Sequence, residues 1–266
     1  MSDTVVETTG GKVRGIVRNG VHTFLGVPYG GDTSGANRFK PPPPVEPWPG
    51  IRDAVAFGPS SWQPSLIGVS DLVATFGGIA EPSMGDDCLV LNVWTPSTGG
   101  AERPVLVYFH GGGFLSGSGS WPAYDGARLA SQGNAVVVTV NHRLGALGFL
   151  YLAELGGAEY ASSGANSILD LVAALEWVRD NIAAFGGDAS RVLAYGESGG
   201  GWKTSTLLAV PTARGLFHAA SLMSGSNLRC QTAEQGTALA EATLAELGLT
   251  PGRLSQLHDL PGEQLM

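Results

Sequence analysis

The chain has 266 residues, 43% of them hydrophobic, with a formal net charge of −8 and a pI near 5.0. This acidic balance argues for a soluble protein and against nucleic acid as a partner, and no apolar run reaches the ~18 residues of a membrane-spanning helix. The 40 glycines are about twice the usual ~7% share, without the G-X-Y repeat of collagen. Met1-Ser2-Asp3-Thr4 has neither the basic nor the apolar region of a secretory signal. Two cysteines, Cys88 and Cys230, form no disulfide framework and no metal pattern. Reduced thiols, a cytoplasmic setting, no metal and no cofactor are the expectations.

Residues 4–28 alternate apolar and polar positions, with turns at Gly10-Gly11 and Asn19-Gly20. Asn-Gly between apolar runs signals a hairpin, so an antiparallel unit is expected over residues 1–30. Residues 29–87 are rich in Pro, Gly and Ser and read mostly as loop, with Pro41 to Pro44 a stiff surface segment. Leu89 to Trp94 reads as a strand. The pattern then becomes α/β over residues 89–266. Val105 to Phe109 and Ala135 to Val140 are continuous apolar runs, as in strands buried on both faces. A helix is expected between them over 123–132. Ile168, Leu171, Val172, Leu175, Val178 and Ile182 carry helical spacing. A strand over 191–195, a helix over 199–209, a strand over 218–223 and a helix over 239–247 follow. Gly248 is placed to stop that last helix, and Thr250-Pro251 to cap and open a further short one. The alternation predicts a mainly parallel sheet covered on both faces, in a single partial domain.

The chemistry concentrates in Gly196-Glu197-Ser198-Gly199-Gly200. This pentapeptide follows an apolar strand and precedes a helix, the context of a nucleophile elbow. Glycines permit a turn tight enough to present the serine hydroxyl at the strand's end. A serine hydroxyl needs a base and an orienting acid, and in this arrangement both follow it, acid before histidine. No convincing pair follows Ser198. His110-Gly111-Gly112-Gly113-Phe114, directly after the strand 105–109, is an HGGG loop of the kind that donates oxyanion-hole amides in esterases and lipases. A flexible glycine loop binding phosphate is the other reading of that stretch. His110, ahead of the glycines, reads as fixing the loop.

Several ordered stretches resemble the type-B carboxylesterase family of bacterial para-nitrobenzyl esterases and cholinesterases. They are Gly11 to Gly15, Phe24 to Tyr29, Arg38-Phe39, Asp86 to Leu89, Asn141 to Gly145, Phe185 to Asp188 and Gly215 to His218. The resemblance implies an α/β-hydrolase fold and hydrolysis of small-molecule carboxylic esters through a serine acyl-enzyme. It implies Ser198 as nucleophile and Gly112, Gly113 and Gly199 as oxyanion donors. Glu197 would tune the site electrostatically, and Asp86 or Asp87 would pair with Arg38. The chain departs from the family at Gly199, where alanine is common, and at His142, where tyrosine is frequent. No cysteine precedes Cys88, so the bridge of disulfide-bearing members cannot form. The acid and histidine would lie outside these residues, making the chain an N-terminal portion with little activity of its own. His218, His258 and His142 are the weak internal candidates for the base. A shorter hormone-sensitive-lipase-like enzyme, a neuroligin-like binding module and an inactive fragment stand as alternatives. The oligomeric state is left open.

Overall fold

Asn19 and Gly20 both take positive φ, 50° and 77°, the twist that joins adjacent strands through a two-residue turn. They close β2 (Gly11–Arg18) onto β3 (Val21–Pro28), and β1 (Asp3–Thr8) pairs antiparallel with β2. The computed structural model describes residues 3–65, 83–100, 102–226 and 228–266. The loop reading of 29–87 therefore lies outside the described residues over 66–82. Within 29–65 the sequence reading missed β4 (Ile51–Asp53), which pairs parallel with β2. Its three residues are all exposed, so no apolar pattern marks it.

The N-terminal hairpins do not stand apart from the α/β core. β3 joins β5 (Val90–Thr95), and one sheet runs in the order β1-β2-β3-β5-β7-β6-β8-β9. Its second half contains β6 (Arg103–Phe109), β7 (Val136–Val140), β8 (Gly187–Glu197) and β9 (Ala219–Met223), parallel throughout. Every residue of β5 and β7 is buried, as expected of mostly apolar central strands, and their buried Asn92 and Thr139 bond each other across the pair at 2.9 Å. This is the α/β-hydrolase fold.

The helix expected over 123–132 is split. Pro122 opens a 3-10 turn, Pro122–Tyr124, and α1 (Ala127–Gly133) follows Gly126, ending at Asn134 with left-handed φ of 46°. Two short helices, α2 (Gly145–Phe149) and α3 (Ala153–Gly156), lead to α4 (Asn166–Asn181). Leu171, Leu175 and Val178 of α4 pack with Val107, Phe109 and Val138 of the sheet in the main core. α5 (Gly199–Leu207) follows the elbow, and α6 (Ala233–Glu246) begins earlier than apolar spacing suggested. A capping box explains that start: Thr232 accepts from the Gln235 amide, and Gln235 accepts in return from the Thr232 amide. Gly248, φ 69°, ends α6 as expected. The Thr250 side chain makes no capping bond, although Pro251 does open a 3-10 segment, Pro251–His258. Leu254, Leu257 and Leu265 of the tail form a second core with Phe39, Leu147 and Leu244.

Arg38 secures this tail. Its guanidinium grips Asp86 through Nε and Nη2 at 3.2 and 3.1 Å and donates to the carbonyls of Leu257, His258 and Leu260. Asp86, rather than Asp87, is thus the partner. No helix among the described residues is long and apolar enough to cross a membrane.

Candidate active site

The parallel register builds the site. Phe109, the last residue of β6, lies opposite Val140 of β7 and Gly196 of β8. Three chain segments therefore leave the sheet at one level: His110–Phe114, Asn141–Gly145 and Ser198 with α5. The carboxyl ends of parallel strands are where open α/β sheets place their ligands. A separate polar hollow of about 690 Å³, bordered by Arg103, Asn134 and Arg191, sits at the opposite ends of β6 and β8, away from this chemistry.

Ser198 stands between β8 and α5 with φ 54° and ψ −121°, a conformation few non-glycine residues adopt. Its amide donates to the Met223 carbonyl at 2.8 Å, and its carbonyl accepts from Trp202 at 3.1 Å. The flanking glycines are required by space. A Cβ on Gly200 would overlap the Phe109 carbonyl oxygen, and one on Gly196 would overlap the carbonyl of Gly200. The turn thus seats directly on the end of β6, where the glycine loop begins.

That loop takes three successive positive φ values: Gly112 95°, Gly113 62° and Phe114 71°. Leu115 and Ser116 both donate to the Gly112 carbonyl at 3.1 Å, and Gly145 donates to that of Phe114 at 2.9 Å. The amide nitrogen of Gly113 lies 2.8 Å from where a Cβ on Gly199 would sit. The absence of a side chain at 199 lets the loop come this close. Gln63, which the sequence did not single out, clamps the loop's exit: its amide oxygen accepts from Gly117 at 2.7 Å and its nitrogen donates back at 3.0 Å.

Behind the loop lies a buried basic group. The His110 and His142 rings stack with centroids 4.5 Å apart and planes 7° off parallel. Lys203, wholly buried on α5, places Nζ 2.9 Å from His142 Nε2 and 5.7 Å from the Phe114 ring centroid. Burial lowers the amine to about 7. Burial, and then the charge of Lys203, lowers His110 to about 3 and drives His142 in the same direction. Both imidazoles are therefore neutral in the fold. Arg143 anchors the adjacent segment through a buried pair with Asp170 at 2.6 Å, while a second nitrogen donates to the Lys40 carbonyl.

Glu197 is exposed, and its charge helps raise the phenols of Tyr108 and Tyr124, with burial the larger cause. It does not hydrogen-bond Ser198. Nor does a histidine reach that hydroxyl among the described residues. His218 accepts weakly from the Val192 amide at 3.3 Å. His258 meets the Tyr160 hydroxyl and the Gly35 carbonyl, each at 2.8 Å. His142 is committed to Lys203, Ser167 and its own segment. Cys88 is buried and Cys230 exposed, both free, and burial pushes the Cys88 thiol up. A cleft of about 850 Å³ opens beside Gly113 and Phe114, with Phe149, Leu150, Ile168 and Leu239 among its walls.

The profile of the Carboxylesterase family matches residues 2–253. The chain belongs to the carboxylesterase family. It is 44% identical over its whole length to the para-nitrobenzyl esterase of Bacillus subtilis (strain 168), covering 52% of that protein. It is 41% identical over 247 residues to the phenmedipham hydrolase of Pseudarthrobacter oxydans, covering 92% of this chain and 48% of that one. A crystal structure of a Geobacillus stearothermophilus carboxylesterase superposes with a TM-score of 0.90 at 43% identity, over 98% of this chain and 52% of the other. The chain thus spans about half the length of the curated relatives it matches.

Proposed function

We propose that these residues form the nucleophile half of a serine carboxylesterase. The carrying observation is the shared register of β6, β7 and β8, which brings Gly199, directly after Ser198 in its strained turn, against the amide of Gly113. Ser198 Oγ attacks the carbonyl carbon of a small-molecule ester. The developing oxyanion sits on the amides of Gly112, Gly113 and Gly199, donors fixed before the reaction begins. The N-terminus of α5 adds its partial positive charge. Exposed Glu197 shapes the field around the alcohol as it leaves. The apolar cleft beside Phe114 receives one arm of the ester.

A base must take the Ser198 proton and give it to the departing alcohol; water then cleaves the acyl-enzyme. No histidine of the described residues is placed for this. The acid and histidine therefore come from chain outside these 266 residues, consistent with the length of the relatives. No cofactor is called for. Loss of triad members costs up to ~10⁶ in turnover in a serine protease, so the isolated chain should hydrolyse esters barely, if at all.

The test is adduct formation. The purified chain is incubated with a fluorophosphonate, with and without imidazole as a substitute base, and mapped by mass spectrometry. One adduct on Ser198, accelerated by imidazole and absent in Ser198→Ala, is the expected result. A folded chain that gains no adduct at Ser198 with imidazole overturns the reading in favour of an inactive or binding module. Rapid turnover of p-nitrophenyl butyrate without imidazole, lost in Ser198→Ala, would instead place the base within these residues.

A further inference from the structure

Among the described residues, three cations are buried: Arg38, Arg143 and Lys203. Arg38 faces Asp86 and Arg143 faces Asp170. Lys203 faces no carboxylate; its hydrogen-bond partner is the neutral ring of His142. A buried amine without a counter-ion is unfavourable, and a methionine or leucine would fill the same space. What an apolar side chain cannot do is bond His142 while covering Phe114.

Those two contacts address both ends of the glycine loop. His142 stacks on His110, the residue before Gly111. Phe114, the residue after Gly113, packs its ring against Phe149 of α2 at 5.0 Å and Trp202 of α5 at 5.5 Å, with the Lys203 amine above it. Between these ends the backbone takes the successive positive φ values of Gly112 and Gly113, which glycine accepts but does not enforce. The ends must hold it.

We propose that Lys203 is a positioning residue: its amine, seated on His142 and over the Phe114 ring, holds the oxyanion loop against the helix that follows the nucleophile. The proposal rests on the esterase reading of that loop.

The chemistry of the contact makes it switchable. An ammonium donates and cannot accept. With Lys203 charged, His142 Nε2 must accept, so the ring proton sits on Nδ1, 3.0 Å from the Arg143 carbonyl. With Lys203 neutral, its lone pair can accept from Nε2–H, and the Ser167 hydroxyl, 2.9 Å away, can donate to Nδ1. The amine, lowered to about 7 by burial, passes between these arrangements near neutrality. The titratable groups facing it are His142 beyond β7 and His110 beyond β6. Ser167 of α4 acts through His142, and Asp170 of α4 is engaged by Arg143. β8 and β9, the other elements packed on α5, offer the amine no bonding partner among the described residues.

The sequence holds three lysines, Lys12, Lys40 and Lys203, so lysine side-chain NMR of the whole chain is simple to read. Lys12 and Lys40 lie beside Glu7 and Glu159 at the surface. One amine should titrate near neutrality, and the His142 ring nitrogens and the Gly112 and Gly113 amides should shift with the same midpoint. Lys203→Met should abolish that midpoint in all of them. It should also slow the imidazole-assisted labelling of Ser198 by about tenfold or more, since small misplacements near reacting groups carry such penalties. Glycine amides that stay still while Lys203 titrates overturn the proposal, and the wild-type chain alone decides this if the methionine variant does not fold. If the amides follow Lys203 but Ser198 never takes an adduct, positioning stands and the esterase reading fails. If Ser198 labels equally in both proteins and the amides ignore Lys203, the esterase reading stands and the positioning role falls.

Discussion

At the scale of single residues, the site depends on what is missing from side chains as much as on what is present. Gly200 and Gly113 are both in the candidate site, but for different reasons. A Cβ at 200 would collide with a backbone carbonyl, whereas at 113 it meets nothing within 4 Å and suffers only the positive φ. Gly113→Ala should therefore destabilise by about 1 kcal/mol. Gly200→Ala should cost clearly more, because strand β6 cannot yield; thermal melts of the two variants give the ranking. Equal losses would mean that the elbow is less tightly seated on β6 than described.

The buried basic groups make stability depend on pH in a direction that can be worked out. His110 titrates at about 3 in the fold against a usual 6.5, so below about 6.5 the unfolded chain takes up the proton first. Stability is complete above that value and is lost as pH falls toward 3. His142 is lowered too and acts in the same sense. Lys203, at about 7 against 10.5, makes stability fall as pH drops from 10.5 to 7 and contributes no slope below. Urea unfolding from pH 4 to pH 9 should show stability rising across the range. Lys203→Met should flatten the branch between 7 and 9 while leaving the acid branch. A wild-type slope that is already flat above pH 7 would contradict a buried amine at 203.

At the scale of elements, α6 shows how a local signal can be stronger than apolar periodicity. Its start is set by Thr232 and Gln235 bonding each other's backbone, a local pattern that lies ahead of the leucines whose spacing predicts the helix over 239–247. Thr232→Ala should lower stability by about 1 kcal/mol, as loss of a cap does elsewhere, and Thr232→Ser should restore most of it. Denaturant unfolding distinguishes them. A silent alanine variant would mean that packing of Ala240 and Leu244 holds α6 without help from its cap.

At the scale of the whole molecule, β9 ends the sheet with no described strand on its outer side. Met223 at its end is 39% exposed, and Leu228 nearby is 94% exposed. Unpaired strand edges bordered by apolar side chains invite another chain. The isolated 266-residue chain should therefore associate with itself, eluting earlier in sizing chromatography as concentration rises. A concentration-independent monomer with a cooperative melt would count against this.

Much of the fold and the centre of the site were legible in the sequence because they rest on local rules. The runs Val105–Phe109 and Ala135–Val140 read as buried strands, Asn19-Gly20 as a hairpin turn, and the glycines around Ser198 and after His110 as a tight turn and a loop of exposed amides. These follow from sterics and from burial of apolar surface, which neighbouring residues decide among themselves. Tertiary structure alone decided the rest. It put the ends of β6, β7 and β8 in register, so that the glycine loop meets the elbow. It buried Lys203 against His142, 61 positions apart, and paired Arg143 with Asp170 and Gln63 with Gly117 across gaps of 27 and 54 residues. It also bound His142, His218 and His258 to partners away from Ser198. Such pairings depend on which distant segments the sheet brings together, and no local pattern of residue types records that.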